Sequence, residues 1–297
     1  ARDLAALQQE HPDVGKVLKP MAIGESALSD GDLAAALRRF EQAASTSREL
    51  GIASTEAKAH VRCAGVHIER ADLAAAAEHL ARAQALEAEL DNSLLQTDIL
   101  FHQGQVAYYR GELAEASRLH RQASRLREGI WRESRVAQTK VAFAANRLSE
   151  AWDSANEALP TYGFNEPSLV DVLATSIFIE LFVLANPADW EASRRTFLGD
   201  LDDLRQVPHA RARFEVEILR ARLAARKRMP DAVEQLSELA ARARQGGWRV
   251  VEMEARRAGV QLARKAGLKD KAEEARQALN QDADASGLKV FHLPPGR

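Results

Sequence analysis

The chain has 297 residues, of which 46% are hydrophobic, 5% aromatic and 28% charged, and its net charge is −2. The near-neutral charge excludes a global basic field for nucleic acid or anionic lipid, and a single cysteine, Cys63, excludes an internal disulfide. Alanine, leucine, arginine and glutamate dominate and all favour helices, whereas runs typical of strands are nearly absent. The composition therefore predicts an all-α protein without a membrane-spanning segment, in a reducing compartment such as the cytoplasm.

The chain opens with a helix-like segment, residues 4–10, which ends at His11-Pro12. This segment resembles the second helix of a preceding hairpin, so we expect residues 1–16 to be the end of such a helix or an N-terminal cap. The first residue is Ala1 instead of methionine, so we expect either a processed form or a fragment of a longer protein with an upstream domain.

A repeat follows. Residues 31–37 (GDLAAAL), 71–77 (ADLAAAA) and 111–117 (GELAEAS) lie 40 residues apart, and a fourth copy begins at Asn146 after a step of 35. Weaker copies continue the series to the end of the chain. The small residue at the same repeat position is in turn Ala36, Ala76, Ala116, Ala151, Ala192, Ala232 and Ala272. Seven units predict one continuous array over residues 17–281, followed by a C-terminal tail at 282–297 whose apolar cluster favours docking on the last helices.

Each unit reads as two antiparallel helices. Glycine in the turn tolerates the left-handed conformation that ends the first helix, and the acidic residue after it can cap the second helix. Alanines seven residues apart, such as Ala36 and Ala43, lie on one helical face, with Phe40 between them. No single hairpin can bury its apolar face, so the units must stack.

This pattern resembles the tetratricopeptide repeat (TPR) family. The first unit matches it with Gly24, Gly31, Ala36, Phe40 and Ala43; the third matches it with Gly104, Gly111, Ala116 and Ala123, and has His120 where the family has an aromatic residue. The 40-residue period exceeds the usual ~34 and is similar to the long units of bacterial regulators; HEAT repeats are the alternative at about 40. The resemblance implies a right-handed superhelical solenoid of about seven antiparallel helix hairpins.

In TPR arrays the first helices line the concave groove. The resemblance therefore places partner-binding residues at Met21, Glu25, Lys58, Val61, Phe101, Gln105, Tyr108, Tyr109 and Lys140. Aromatic groups beside polar and basic groups suit a peptide or an acidic ligand. Some TPR domains bind chaperone tails through a lysine and asparagine clamp, but Met21 and Glu25 occupy its first two positions here, which disfavours that ligand.

Two other patterns bear on function. Arg118, Arg121 and Arg125 share a helical face, and residues 205–228 are rich in arginine, yet the near-zero net charge favours faces paired with acids over contacts with phosphates. His60 and His67 are seven residues apart, too far for a close helical metal pair. His60 and Cys63 could in principle hold a metal, but a buried free cysteine more often packs as a small core residue.

No phosphate-binding loop, nucleophile elbow or kinase signature is present. We therefore expect no enzyme, no cofactor and no metal. The leading hypothesis is a protein- or peptide-binding scaffold that uses the concave face of the array. The alternatives are a ligand-sensing segment of a larger bacterial transcription regulator or signalling protein, and, less favoured, a nucleic-acid binder that uses arginine faces. Self-association into a homo-oligomer stays open.

Overall fold

A computed structural model describes residues 12–126, 132–159, 167–185, 190–224 and 226–295. Across these ranges the chain forms fourteen α-helices and two short 3₁₀ turns, with no strand, so the predicted all-α class is confirmed. The helices are α1 (Pro12–Asp30), α2 (Leu33–Glu49), α3 (Ala53–Glu69), α4 (Leu73–Glu87), α5 (Ser93–Tyr109), α6 (Leu113–Leu126), α7 (Arg132–Ala144), α8 (Leu148–Ala158), α9 (Leu169–Ala185), α10 (Trp190–Leu204), α11 (Ala210–Arg222), α12 (Met229–Gln245), α13 (Arg249–Lys265) and α14 (Lys269–Ser286).

The predicted turns are formed by the residues expected to form them. Gly31, between α1 and α2, has a φ of 102°, and Ala71, its equivalent between α3 and α4, has a φ of 62°. The carboxylates of Asp32 and Asp72 then accept a hydrogen bond from the backbone N–H three residues on, at 2.8 and 3.1 Å. Each acidic residue therefore caps its helix, because it satisfies a backbone donor that the helix itself leaves free.

Small residues let the helices of a hairpin approach closely. A Cβ added to Gly24 would lie 2.6 Å from Cε1 of Phe40, so the ring occupies the space a larger residue would need. Ala36 and Ala43 are fully buried on either side of that ring. The glycine of the first helix and the aromatic residue of the second therefore contact each other across the hairpin, and the alanines of the repeat are buried beside that contact.

The helices form two layers. The odd-numbered helices contact one another in succession from α1 to α13, and the even-numbered helices pack outside against the odd-numbered helices next to them in sequence. The inner layer also closes across the molecule, because α11 contacts α1 and α13 contacts α3.

One hydrogen bond marks this closure. The indole Nε1 of Trp248 donates to the carbonyl oxygen of Gly31 at 3.1 Å across 217 residues of sequence, and the Trp248 side chain is buried. Leu33 and Phe40 of the first hairpin share one hydrophobic core with Leu236 and Val251 of the last hairpins.

The ends of the array differ from the predicted boundaries. Helix α1 begins at Pro12, before the expected boundary at residue 17, and residues 1–11 lie outside the described ranges. Helix α14 continues past residue 281 to Ser286 and ends at Gly287, whose φ is 71°. The predicted tail is docked over the part described, up to residue 295. Phe291 is buried and stacks on Tyr109 at 6.1 Å, while the backbone of Leu293 exchanges two 3.0 Å hydrogen bonds with the side chain of Asn280.

Candidate functional site

The inner layer encloses a cavity of about 350 Å³. Five of the nine predicted binding residues line it: Phe101, Gln105, Tyr108 and Tyr109 on α5, and Lys140 on α7. The other walls come from α1, α3, α9 and α11 and from Trp248 just before α13. Because α1 and α3 meet α11 and α13 across the molecule, the cavity lies between the two halves of the inner layer.

The other four predicted residues lie elsewhere. Lys58 is exposed, and Met21 packs partly buried against the core. Glu25 forms a 2.7 Å ion pair with Arg62, which itself lines the cavity. Val61 is not a groove residue: α3 turns this side chain toward α4 and α5, where only 3% of it is exposed.

Beside the cavity lies a group of charged residues that we call the charged cluster: Glu69, Lys140, Arg211, Glu215 and Glu254. The Arg211 guanidinium donates to Glu69 at 3.1 Å, to Glu215 at 2.6 Å and to Glu254. Lys140 Nζ lies 3.7 Å from a carboxylate oxygen of Glu254. Helices α3, α7, α11 and α13 each contribute to the cluster, so four inner helices meet at one centre.

Most of this cluster was not predicted. The arginine-rich stretch 205–228 was expected to form a solvated face paired with acids; Arg211 is paired with acids, but it is buried, with 4% of its side chain exposed. Glu69, Glu215 and Glu254 were not singled out. The one local signal is the spacing of four between Arg211 and Glu215, which suits an ion pair on one helix face.

The cluster holds three carboxyl groups against two cations, so burial favours a proton on one of them. Burial raises the pKa of Glu254 to about 7. The Arg211 charge lowers this pKa, and the neighbouring Glu215 carboxylate raises it. Burial acts in the same direction on Glu215, but the charges of Arg211 and Lys140 and a hydrogen bond from Glu254 outweigh it and lower its pKa. Near neutral pH, Glu254 therefore carries the shared proton part of the time.

A second ion-pair group adjoins the first. Glu180 on α9 pairs with Arg222 at 3.3 Å and with Arg257 at 2.5 Å, and Arg222 also donates to Gln261 at 2.7 Å. A cavity of about 30 Å³ separates the two groups, with room for one or two water molecules. Glu180 is the residue that interrupts the most apolar run of the sequence, and its paired burial explains why a charge is tolerated there.

Several polar groups on the cavity wall lack a hydrogen bond with any described residue. They are the hydroxyls of Tyr108 and Tyr109, the amide of Gln105 and the Lys140 ammonium, whose one ion pair is the 3.7 Å contact with Glu254. Donors that reach a cavity without a hydrogen-bond partner in the protein are satisfied by water or by a ligand. These donors make the cavity suited to a polar group.

The histidines do not form a metal site in the described ranges, where no group of three or more His, Cys, Asp or Glu side chains is placed to hold an ion. Instead His79 lies between His60 and His67, with its Nδ1 3.0 Å from that of His60 and its ring stacked 5.3 Å from that of His67. Cys63 is fully buried, and burial raises the pKa of its thiol to about 12. It is the core residue that the sequence analysis favoured.

Fold and site together define a class: a protein of stacked helical hairpins with a partly charged internal cavity. No protein-family model matches the chain, and no curated protein is significantly similar to it in sequence. None of the helices in the described part of the chain combines the length and apolar character needed to cross a bilayer.

Proposed function

We propose that this protein is a TPR-like binding scaffold of the cytoplasm, a right-handed superhelical array that holds a protein or peptide partner on its inner face. The observation that carries the proposal is the cavity between the inner helices, where aromatic rings lie beside donors that form no hydrogen bond with a described residue. Aromatic side chains supply contact area at low entropic cost, and polar groups without a protein partner supply specificity. The preformed helices keep the ordering cost of binding small.

A second candidate is a ligand-sensing segment of a larger regulator. Its support is the size of the cavity, which falls at the lower end of the ~300–1,000 Å³ typical of small-molecule sites. A cavity of that size accommodates a small molecule or the end of a peptide, and not a long segment lying through it.

Nucleic-acid binding has less support. Arg118 on α6 pairs with Glu115 of the same helix at 2.6 Å, and Arg211 and Arg222 are buried against carboxylates. Arginines engaged in this way leave less basic surface for phosphates.

The test is a selection from a random-peptide library, followed by affinity measurements on the double variant Tyr108→Leu/Lys140→Met. We expect selected peptides to bind this variant at least ~10-fold more weakly, because it removes two hot-spot side chains from the cavity wall. Lys269→Met, which removes an exposed lysine outside the cavity, should bind as the parent does. A double variant that is folded, by thermal denaturation, and binds with unchanged affinity would reject the assignment of the site.

A further inference from the structure

We propose that the cavity binds the carboxylate of a ligand with an apolar body, and that Lys140 is the residue that meets the carboxylate. This rests on the proposed function, because it names the chemistry recognised at the same site. A carboxylate of this kind can come from the C-terminus of a peptide or from a small apolar acid.

Lys140 is a cation that the protein leaves incompletely paired. Its single ion pair among the described residues, to Glu254, spans 3.7 Å, which is beyond hydrogen-bond distance. The ammonium has three N–H donors, and none is used by a described residue. Burial lowers the pKa of Lys140, but the charges of Glu254 and Glu215 outweigh it and raise the pKa, so the group stays charged at neutral pH.

Three neutral donors share the cavity with Lys140 and complement an anion. Gln105, Tyr108 and Tyr109 add an amide and two phenol hydroxyls that can donate, and burial raises the pKa of both phenols so that they stay protonated. A carboxylate offers about four acceptor positions on two oxygens, which matches one ammonium and two or three neutral donors. Hydrogen bonds of this charge-assisted kind are about twice as strong as neutral ones.

A cationic ligand would find less to bind. The carboxylates of Glu69 and Glu254 in this region already accept hydrogen bonds from Arg211. Glu133 also lines the cavity, but it lies seven residues before Lys140 on α7, which is ~10 Å along the helix axis. All three carboxylates of the charged cluster are engaged by Arg211, whereas several donors on the cavity wall have no hydrogen bond with a described residue, so the wall offers more to an anion than to a cation.

Part of the wall is apolar and fits a hydrophobic body. Leu169, Val170 and Leu173 on α9 line the cavity, together with Phe101 on α5. Burying the apolar part of a ligand against these side chains removes apolar area from water, which favours binding before the costs of association are counted. The wall thus offers apolar groups for the body of a ligand and hydrogen-bond donors for its carboxylate.

The experiment uses two matched pairs of probes, each measured by isothermal titration calorimetry and saturation-transfer NMR. The first pair is acetyl-Ala-Leu-Phe with a free carboxylate or with a carboxamide at the C-terminus. The second pair is 5-phenylpentanoate and 5-phenylpentanamide. We expect the acid of at least one pair to bind ~10-fold or more tightly than its amide, the effect of one charge-assisted hydrogen bond. Preference within the peptide pair alone identifies a C-terminus as the source, and preference within the second pair identifies a small acid.

Three variants locate the effect. Lys140→Met should abolish the preference for the acid, Lys140→Arg should retain most of it because the charge is kept, and Lys269→Met, at an exposed lysine outside the cavity, should leave it unchanged. The proposal is overturned if acid and amide bind equally, if the preference survives Lys140→Met, or if neither probe pair binds. Equal binding of acid and amide, with loss of both on Tyr108→Leu, would overturn the carboxylate assignment and leave the binding scaffold standing.

Discussion

The imidazole of His120 on α6 lies directly over Gly104 on α5. A Cβ added to Gly104 would be 2.6 Å from Cε1 of His120, as close as the corresponding Cβ at Gly24 would be to Phe40. His120 is almost fully buried and takes the position that an aromatic residue holds in the first hairpin. The histidine noted as a departure from the repeat pattern is therefore a packing substitute for that aromatic residue.

This contact predicts that Gly104→Ala destabilises the fold by ~1–3 kcal/mol, because the methyl group can be accommodated only by displacing a buried ring. Urea denaturation measures the change. Gly199→Ala is the matched control: Gly199 lies exposed within α10 with nothing near its missing Cβ, so alanine there should stabilise by ~0.5–1 kcal/mol. Equal effects at the two positions would refute the packing argument.

The same histidine predicts sensitivity to acid. Burial, and next the charge of His102, lower the pKa of His120 to about 4, below the ~6.5 of an unfolded chain. Its contribution is therefore fully present above pH 6.5 and is lost as the pH falls toward 4, because only the unfolded state gains the proton. The free energy of unfolding should fall less for His120→Phe than for the parent when the pH is lowered from 7 to 4.5. The difference between the two falls should be on the order of 2 kcal/mol. Parallel stability curves for the two proteins would count against this.

The hydrogen bond from Trp248 to Gly31 predicts the cost of opening the closure. Trp248→Phe keeps most of the buried ring but removes the donor, and should cost ~1 kcal/mol, or more if the Gly31 carbonyl stays dry. Trp190→Phe is the control, because Trp190 is only partly buried and stacks on Phe182 at 5.8 Å, a contact that phenylalanine preserves. Chemical denaturation of both variants measures the loss in the free energy of unfolding. A larger loss for Trp190→Phe than for Trp248→Phe would contradict the stabilising role of the hydrogen bond.

The charged cluster predicts a second pH effect, of opposite sign to that of His120. The pKa of Glu254 is raised to about 7 in the folded protein, above the ~4.3 of an unfolded chain, so the folded state holds more protons between these values. Stability from this group is lost as the pH rises through that window. Glu254→Gln, which imitates the protonated form, should gain stability relative to the parent on going from pH 5 to pH 8. The exposed Glu238→Gln, measured in the same thermal melts, should show no such trend.

The sequence was sufficient for features set by local chemistry. Gly31 and Asp32 predicted a turn and a helix cap. The turn needs a left-handed backbone and the first turn of the helix needs an acceptor for a free N–H, and residues adjacent in sequence supply both. Both predictions are confirmed. The sequence also predicted five residues that line the cavity, because Phe101, Tyr108 and Lys140 lie on neighbouring inner helices.

The charged cluster could not be predicted, since its members come from four helices as far apart in sequence as Glu69 and Glu254. Their proximity depends on the curvature of the stack, which brings α13 back to α3. Net charge predicted acidic partners for the arginines of this stretch but could not identify those of Arg211, because Glu69 and Glu254 lie 142 and 43 residues away in sequence.

Arrays of helical hairpins ordinarily have free ends. The terminal unit at each end packs against one neighbour only and can unfold by itself. Here the turn after α1 accepts a hydrogen bond from Trp248, and the first hairpin packs against the last hairpins as well as against the second. Losing either end removes contacts from the other. Melting should therefore be cooperative across the whole array, with amide exchange in α1 and α13 slowed to a similar degree instead of graded from the ends inward.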